Sequence, residues 1–417
     1  MATMSRRKFL QLSILAGGGL ITCDWLAQVG TSHCSGRAFA AEPIKIGIID
    51  PLTGPYKTSS IHDVHGATVA MDAFNKRGGV LGRPVTLIEA DDASNVETAV
   101  KVAQKLIGQD RVDVLMGTFN GEVALAVSEL AMREDKLFMV TGAHITELTG
   151  ARCNARTFVF MPNARMMAQA VAPSLAKTYG KRWYMITADT VDGRSALQAM
   201  TGALTQQGGE VIGSSTTAFG ASDFSNVMME ARQAKPDAVI LNLYGWDLVN
   251  ALKSYAKLEL AKEKIGVGGM IAGEQIGRPL GYANNAGIWG LIWDPKVNTE
   301  SSRRFIQGVI DKYQHTPTSR CYLGYAAMTQ VLEAIERAGT TDTAALVKVL
   351  EGHEFDGLKE GKSYFRSTDH QHVQDVLVGE AYGKELGLGH YKIIATVKSD
   401  PAAQAAGEQS CRLAGTR

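Results

Sequence analysis

Two doubly wound α/β lobes with parallel sheets, joined by a three-strand hinge, are the fold predicted by three features of this 417-residue chain. Short β-rich runs alternate with amphipathic helical segments, the signature of βαβ units. The alternation completes one set, restarts near Ala164 and runs through a second set of comparable length. The chain also exceeds the roughly 250–300 residues at which a single core stops growing. Its 45% apolar and 20% charged content excludes disorder or a fibrous repeat.

In the first lobe, strand Ile44 to Ile49 leads through Pro51-Leu52-Thr53-Gly54-Pro55 to a helix from His62 to Lys76. That helix carries Val64, Ala67, Met71 and Phe74 on one face, and Gly78-Gly79 stop it. Strand Val85 to Ala90, helix Val96 to Ile107, strand Val112 to Met116, helix Glu122 to Met132 and strand Leu137 to Thr141 complete the lobe. The second set reads helix Ala164 to Thr178, strand Trp183 to Thr187, helix Arg194 to Gln207 and strand Glu210 to Gly213. Helix Phe224 to Gln233, strand Ala238 to Asn242, helix Trp246 to Lys257 and short strands near Ile265 and Ile288 follow. The chain then returns to helices over Ser301 to Tyr313 and Leu323 to Ala338, and a strand is expected over Asp375 to Gly383. Residues 41–161 plus 294–365 form lobe 1 in this reading, and 162–293 plus 366–398 form lobe 2. Hinge crossings are expected near Met161-Pro162-Asn163, Trp293-Asp294-Pro295 and Phe365-Arg366, and the Ala- and Gly-rich tail 399–417 is expected to be poorly ordered.

The N-terminus carries an export signal. Ser5-Arg6-Arg7-Lys8-Phe9-Leu10 matches the twin-arginine pattern, and the uncharged stretch Gln11 to Thr22 reads as its apolar region. That stretch is too short for a bilayer, which needs about 20 apolar residues. Ala38-Phe39-Ala40 offers an A-x-A site, so residues 1–40 are expected to be removed before Ala41, with the mature chain in the periplasm. An uncleaved anchor is one alternative, and a lipoprotein on Cys23 is another, weakened by Thr22 just before the cysteine.

Several chemistries are not supported. With 43 basic and 42 acidic residues and no basic run in the folded part, nucleic acid is an unsuitable partner. Of five cysteines, Cys23 and Cys34 fall in the leader, leaving Cys153, Cys321 and Cys411 for one pair and one free thiol, with no pairing selected by the sequence. His62 with His65, and His370 with His372, have spacings that share a face, but no carboxylate or cysteine cluster joins them in sequence, so no metal is assigned. Asp369-His370 lacks a G-x-S-x-G elbow, and no G-x-x-x-x-G-K motif occurs, so neither a hydrolase dyad nor nucleotide hydrolysis is indicated. The chain therefore reads as a binding protein without cofactor or catalytic site.

Open α/β sheets bind ligands outside the carboxyl ends of their strands. The loops after Ile49, Met116, Thr141, Thr187 and Asn242 are thus the expected walls of an interlobe cleft. Helix N-termini with unpaired N–H groups suit a carboxylate there, and Asn120-Gly121-Glu122 precedes such a helix.

Several segments in order carry a family resemblance. They are Ile46-Gly47-Ile48 with Leu52-Thr53-Gly54-Pro55, Asn75-Lys76-Arg77-Gly78-Gly79-Val80-Leu81-Gly82, and Asp91-Asp92 followed by Ala99-Val100. Gly117 and its loop, the segment Thr141 to Thr149, and Gly324-Tyr325-Ala326-Ala327 continue the series. Together they resemble the periplasmic leucine/isoleucine/valine-type solute-binding proteins of ABC importers, over nearly the whole mature chain. The resemblance implies a type I periplasmic binding fold and a monomer that captures a small molecule by hinge closure and delivers it to a membrane permease and ATPase.

The resemblance also implies a site, with departures. In amino-acid binders of the family a Ser matching Gly121 and a Thr near Ile145 hold the ligand's carboxylate and ammonium, and this chain lacks both hydroxyls. The family's ammonium-binding acid falls near Met270, with Glu274 as a second candidate, and a second-lobe Tyr matches Val191. Two cysteines of a first-lobe disulfide are replaced by Ser94 and Asn120. An ammonium without its partners would be left desolvated and unpaired. The expected ligand is therefore a small, partly apolar carboxylate or amide, aromatic in one version, rather than an ordinary α-amino acid. Its expected contacts are Asn120, Gly121, Ala143, His144, Ile145, Val191, Tyr244, Trp246, Met270 and Arg320. Each has a plainer alternative, such as helix capping for Asn120, core packing for Tyr244 and a solvated face for Arg320. Two other functions stay open: an extracytoplasmic sensor for a signalling partner, and a branched-chain amino-acid binder with an altered pocket.

Overall fold

The computed structural model describes residues 42–386 and 389–398 together with Cys411 and Leu413. The expected twin-arginine leader, the expected cleavage site and most of the 399–417 tail lie outside the described residues. Among these residues, no helix is long and apolar enough to cross a membrane.

Lobe 1 is built on β1 (Ile44–Asp50), β2 (Val85–Asp91), β3 (Val114–Gly117), β4 (Leu137–Val140) and β5 (Thr157–Val159), all parallel in the order β2-β1-β3-β4-β5. β3 and β4 are buried along their whole length, which explains why Val-Leu-Met-Gly and Leu-Phe-Met-Val carry no polar alternation. Helices α1 (Lys57–Lys76), α2 (Val96–Lys105) and α3 (Gly121–Arg133) connect these strands.

Lobe 2 begins with α4 (Ala164–Tyr179) and contains β6 (Arg182–Ala188), α5 (Val191–Gln206), β7 (Glu210–Thr217), α6 (Ser225–Ala234), β8 (Ala238–Asn242), α7 (Gly245–Lys257), β9 (Gly266–Ala272), α8 (Glu274–Leu280) and β10 (Ile288–Leu291). The chain then returns to lobe 1 as α9 (Glu300–Tyr313), α10 (Ser319–Ala338) and α11 (Thr343–Leu350). A small antiparallel sheet of β11 (Glu354–Phe355), β12 (Ser363–Phe365) and β13 (His372–Val373) follows. β14 (Val376–Leu386) and β15 (Gly389–Val397) close the second sheet in the order β15-β14-β10-β9-β8-β6-β7, the first two antiparallel to their neighbours.

The expected alternation stands, with additions. β5 and the strands of the small sheet are too short to show a period, and α8, α11 and β15 were not expected. β15 follows the glycine-bearing run Gly383-Lys384-Glu385-Leu386-Gly387, which reads as a turn rather than a strand. α1 starts at Lys57, five residues ahead of the expected His62, because Lys57-Thr58-Ser59-Ser60 is polar and carries no apolar stripe.

α1 and α10 meet at glycines. A Cβ on Gly66 would lie 1.9 Å from the Cys321 carbonyl oxygen, and one on Gly324 would lie 2.0 Å from that of Asp63. Only glycine allows so close a backbone approach, and it locks the start of α10 against α1.

The backbone passes between the sheets after Val159, after Leu291 and between Val373 and Val376. Phe365-Arg366 therefore precedes the third crossing, because β13 first pairs with β12. Gln374 and His372 both reach the Phe160 carbonyl at 3.1 Å, while Lys359 Nζ donates to the Ile292 carbonyl at 2.9 Å and to Gln374 Oε1 at 2.6 Å. Side-chain hydrogen bonds thus tie all three passages together. A disulfide joins Cys153 in lobe 1 to Cys411, and Cys321 is the buried free thiol.

Candidate functional site

The carboxyl ends of both sheets face one cavity with about 30 Å³ of free space, which must widen to take more than a water or two. Its walls are largely apolar, with Phe119, Met161, Leu248, Ile271, Ile276 and Ile292. Polar groups come from Ser59, His144, Tyr244, Gln275 and Arg320, and no carboxylate is among the lining residues described.

Arg320 is the cation of this cavity. It sits in the first turn of α10, only 4% exposed, with its guanidinium 4.7 Å from the centre of the Phe119 ring and 3.4 Å from Asp63 Oδ2. A Cβ on Gly142 would lie 2.6 Å from Arg320 Nη2, so a bare backbone at that position makes room for the guanidinium. Asp63 also accepts from Thr141 Oγ1 and lies close to Asp50 at the end of β1. Burial, then Asp63, raise the Asp50 pKa well above the carboxylate range, while Arg320 opposes the shift. Asp92, also buried, is pushed up to about 7. Arg320 Nε and both Asp50 oxygens have no hydrogen-bond partner among the described residues.

Several hydrogen bonds cross the cleft, among them Ser319 Oγ to Gln275 Oε1 at 3.1 Å, and two lie beside His144 and Asp192. His144 Nε2 lies 2.8 Å from the Tyr244 hydroxyl, and the Gly121 N–H donates to Asp192 Oδ2 at 2.8 Å. Asp192 Oδ1 is also 3.7 Å from His144 Nδ1. A carboxylate of the protein itself thus occupies the N-terminus of α3, the kind of position that suits an anion. Burial pulls His144 down to about 4 and lifts Asp192 to about 7. Burial, followed by Asp192, raises Tyr244 well above its ordinary value.

Asp192 is positioned by the start of α5, where Thr190 Oγ1 accepts from the Gly193 N–H at 3.0 Å. Losing such a cap costs about 1 kcal/mol. Thr190→Ala is expected to lower the unfolding free energy by that amount, read as a lower urea midpoint at unchanged slope, and a midpoint equal to wild type would show that the cap contributes nothing.

The profile of the family described as "Periplasmic binding protein" matches residues 43–385. The chain belongs to the periplasmic binding protein family. It is similar to the Leu/Ile/Val-binding protein homolog 7 of Brucella suis biovar 1, at 25% identity over 79% of this chain and 86% of that protein. An amino acid ABC transporter substrate-binding protein from Pseudomonas fluorescens Pf-5 superposes with a TM-score of 0.82 at 26% identity, covering 90% of this chain and all of that one. A solute-binding protein of an ABC transporter from Rhodopseudomonas palustris BisB5, solved in complex with 3,4-dihydroxy benzoic acid, shares the fold with a TM-score of 0.79 at 21% identity over 87% and 99% of the two chains. This periplasmic binding protein is therefore a two-lobed, type I member of a family of solute-binding proteins.

Of the ten residues expected at the site of this binding protein, His144, Tyr244 and Arg320 line the cavity. Gly121 contributes its N–H to Asp192 rather than facing the cavity. Asn120 is the N-cap residue of α3 but its side chain makes no capping hydrogen bond, and its Oδ1 is buried without a partner among the described residues. Ala143, Ile145 and Met270 are core residues, and Val191 opens α5, packed against the core. Trp246 is 40% exposed and lines a shallower pocket with Pro55 and Pro279. Glu274 bonds His390, 2.6 Å from its Nδ1, and is spent away from the cavity. Sequence reading missed Asp192, Phe119 and Gly142. An aspartate in the first turn of a helix has an ordinary explanation in the helix dipole, so it raised no signal.

Proposed function

We propose that the protein captures a small carboxylate with an apolar, ring-sized body between its lobes and presents the closed form to the permease of an ABC importer. What carries the reading is Arg320: a buried cation with an unpartnered Nε, set in a cavity whose other walls are apolar or neutral. Charge-assisted hydrogen bonds from a guanidinium suit a carboxylate. Phe119 and Tyr244 add aromatic walls to the cavity. The absence of a lining carboxylate among the described residues disfavours an ammonium group, which would be buried unpaired. The dihydroxybenzoate held by the Rhodopseudomonas protein is a ligand of that chemistry within the same fold.

Closure supplies the mechanism. Ligand held by Arg320 on lobe 1 meets Tyr244 and Ile276 from lobe 2, and the His144–Tyr244 and Gly121–Asp192 contacts form as the lobes meet. The three hydrogen-bonded passages let the lobes bend without separating.

Mass spectrometry of ligand released from the purified protein, followed by a thermal-shift screen, tests the reading. Benzoate-type acids at a hundredfold excess over Kd should stabilise the protein by about 2.7 kcal/mol. Stabilisation by leucine, isoleucine or valine with no response to aromatic acids would keep the transport role and discard this pocket.

A further inference from the structure

We propose that His62, His315 and Cys321 form a binding site for a thiophilic d10 cation, with Zn²⁺ as the probe species, outside the ligand cavity. One ligand atom from each residue lies within 4.8 Å of the others. His62 Nδ1 is 3.5 Å from Cys321 Sγ. A tetrahedral zinc with Zn–N about 2.05 Å and Zn–S about 2.3 Å separates nitrogen and sulfur by about 3.5 Å, so this pair is already at ligand spacing.

The three side chains are held by rigid parts. His62 lies on α1 and Cys321 in the first turn of α10, the helices clamped at Gly66 and Gly324. His315 lies between α9 and α10, and its Nδ1 is 3.0 Å from the Thr316 carbonyl. A carbonyl can only accept, so Nδ1 carries the proton and Nε2 presents its lone pair, the arrangement typical of a metal-bound imidazole. Thr318 Oγ1 is 3.2 Å from His62 Nδ1 and 3.7 Å from Cys321 Sγ, so it bridges these two groups in the metal-free form.

His65 extends the cluster. It lies one turn along α1 from His62, with Nδ1 3.1 Å from His315 Nε2. With Nε2 as the acceptor, His65 Nδ1–H donates, and metal binding must break that bond. The histidines are half-buried while Cys321 is buried, so the site opens at its imidazole rim.

The electrostatics suit a group that stays neutral until a metal arrives. Burial and the neighbouring imidazoles pull His62 down to about 3 and His65 to about 4, so both offer lone pairs at neutral pH. Burial raises the Cys321 thiol to about 11, so binding must expel its proton as the sulfur–metal bond forms. Arg278 and Arg320 near His62, and Lys312 near His65, oppose a cation, and the thiolate formed on binding offsets one of these charges.

The test uses the tag-free mature protein titrated with Co²⁺ and with Zn²⁺. One equivalent of Co²⁺ should give a thiolate-to-cobalt charge-transfer band, displaced by Zn²⁺, with about one proton released per zinc. Cys321→Ala should abolish the band, and His315→Ala should weaken Zn²⁺ binding at least tenfold, with aromatic-acid binding retained in both. A wild-type protein without the band, or a Cys321→Ala variant that binds Zn²⁺ as tightly as wild type, would overturn the proposal. Thermal melts of both variants separate loss of the site from loss of the fold.

Discussion

Arg320→Met is expected to weaken binding of an aromatic carboxylate by about 30- to 1,000-fold, or about 2–4 kcal/mol. The guanidinium is the one cation among the described lining residues, so a bound carboxylate finds no other full positive charge among them to replace it. Removing it also strips the neighbouring acids of their counter-charge. Breaking a buried ion pair costs about 3–5 kcal/mol because the remaining charge is uncompensated. Stability and recognition must therefore be separated. The double variant Arg320→Met with Asp63→Asn removes both charges and is expected to recover most of the stability but none of the affinity. Arg320→Lys keeps the charge and loses the planar fork, so it should fall between. Calorimetric titration with benzoate reads the affinity and urea unfolding reads the stability. A double variant that binds benzoate like the wild type would remove Arg320 from recognition.

The fold was legible because its cause is local. Buried parallel strands read as short apolar runs, and surface helices read as 3.6-residue stripes, each visible within ten to fifteen residues. What escaped lacked that local record. β5 spans three residues, and β15 follows a run that reads as a turn. The site was legible where a residue follows a strand of the sheet, as His144 and Tyr244 do. Arg320 emerged by alignment with the family, because an arginine at the start of a helix is ordinary until Gly142 and Phe119 are seen to shape its place. Asp192 was hidden for a related reason. Its partner, the Gly121 N–H, is a backbone group on the other lobe, and no side-chain pattern announces it. The same applies to Cys321, His62 and His315: the first and third lie within one stretch of chain, whereas the second is far away in sequence and meets them through the α1–α10 clamp.

The pair across the cleft predicts opposite pH slopes for two variants. With the lobes apart, Asp192 and His144 are expected to titrate in their ordinary ranges, near 4 and 6.5. Asp192 is raised to about 7 in the closed form, so between about pH 4 and 7 closure takes up a proton and weakens as pH rises. His144 is lowered to about 4, so between about pH 4 and 6.5 closure releases a proton and weakens as pH falls. The two cancel in the wild type over the shared window, and its affinity for a carboxylate should be nearly flat from pH 5 to 6.5. Asp192→Asn keeps an acceptor for the Gly121 N–H and leaves only the histidine, so affinity should fall about tenfold per pH unit on acidification below 6.5. His144→Gln leaves only the aspartate, so affinity should fall about tenfold per unit as pH rises from 5 to 7. Other charges act on the pair, Glu122 and Glu147 raising Asp192 and Arg320 lowering His144, but they move the midpoints rather than the number of protons exchanged. Titrations at pH 5, 6 and 7 in two buffers of different ionisation enthalpy measure both the slope and the proton count. Slopes of the same sign in the two variants would mean that the cross-cleft contacts do not form on ligand binding, and the closure assigned to them would have to be placed elsewhere.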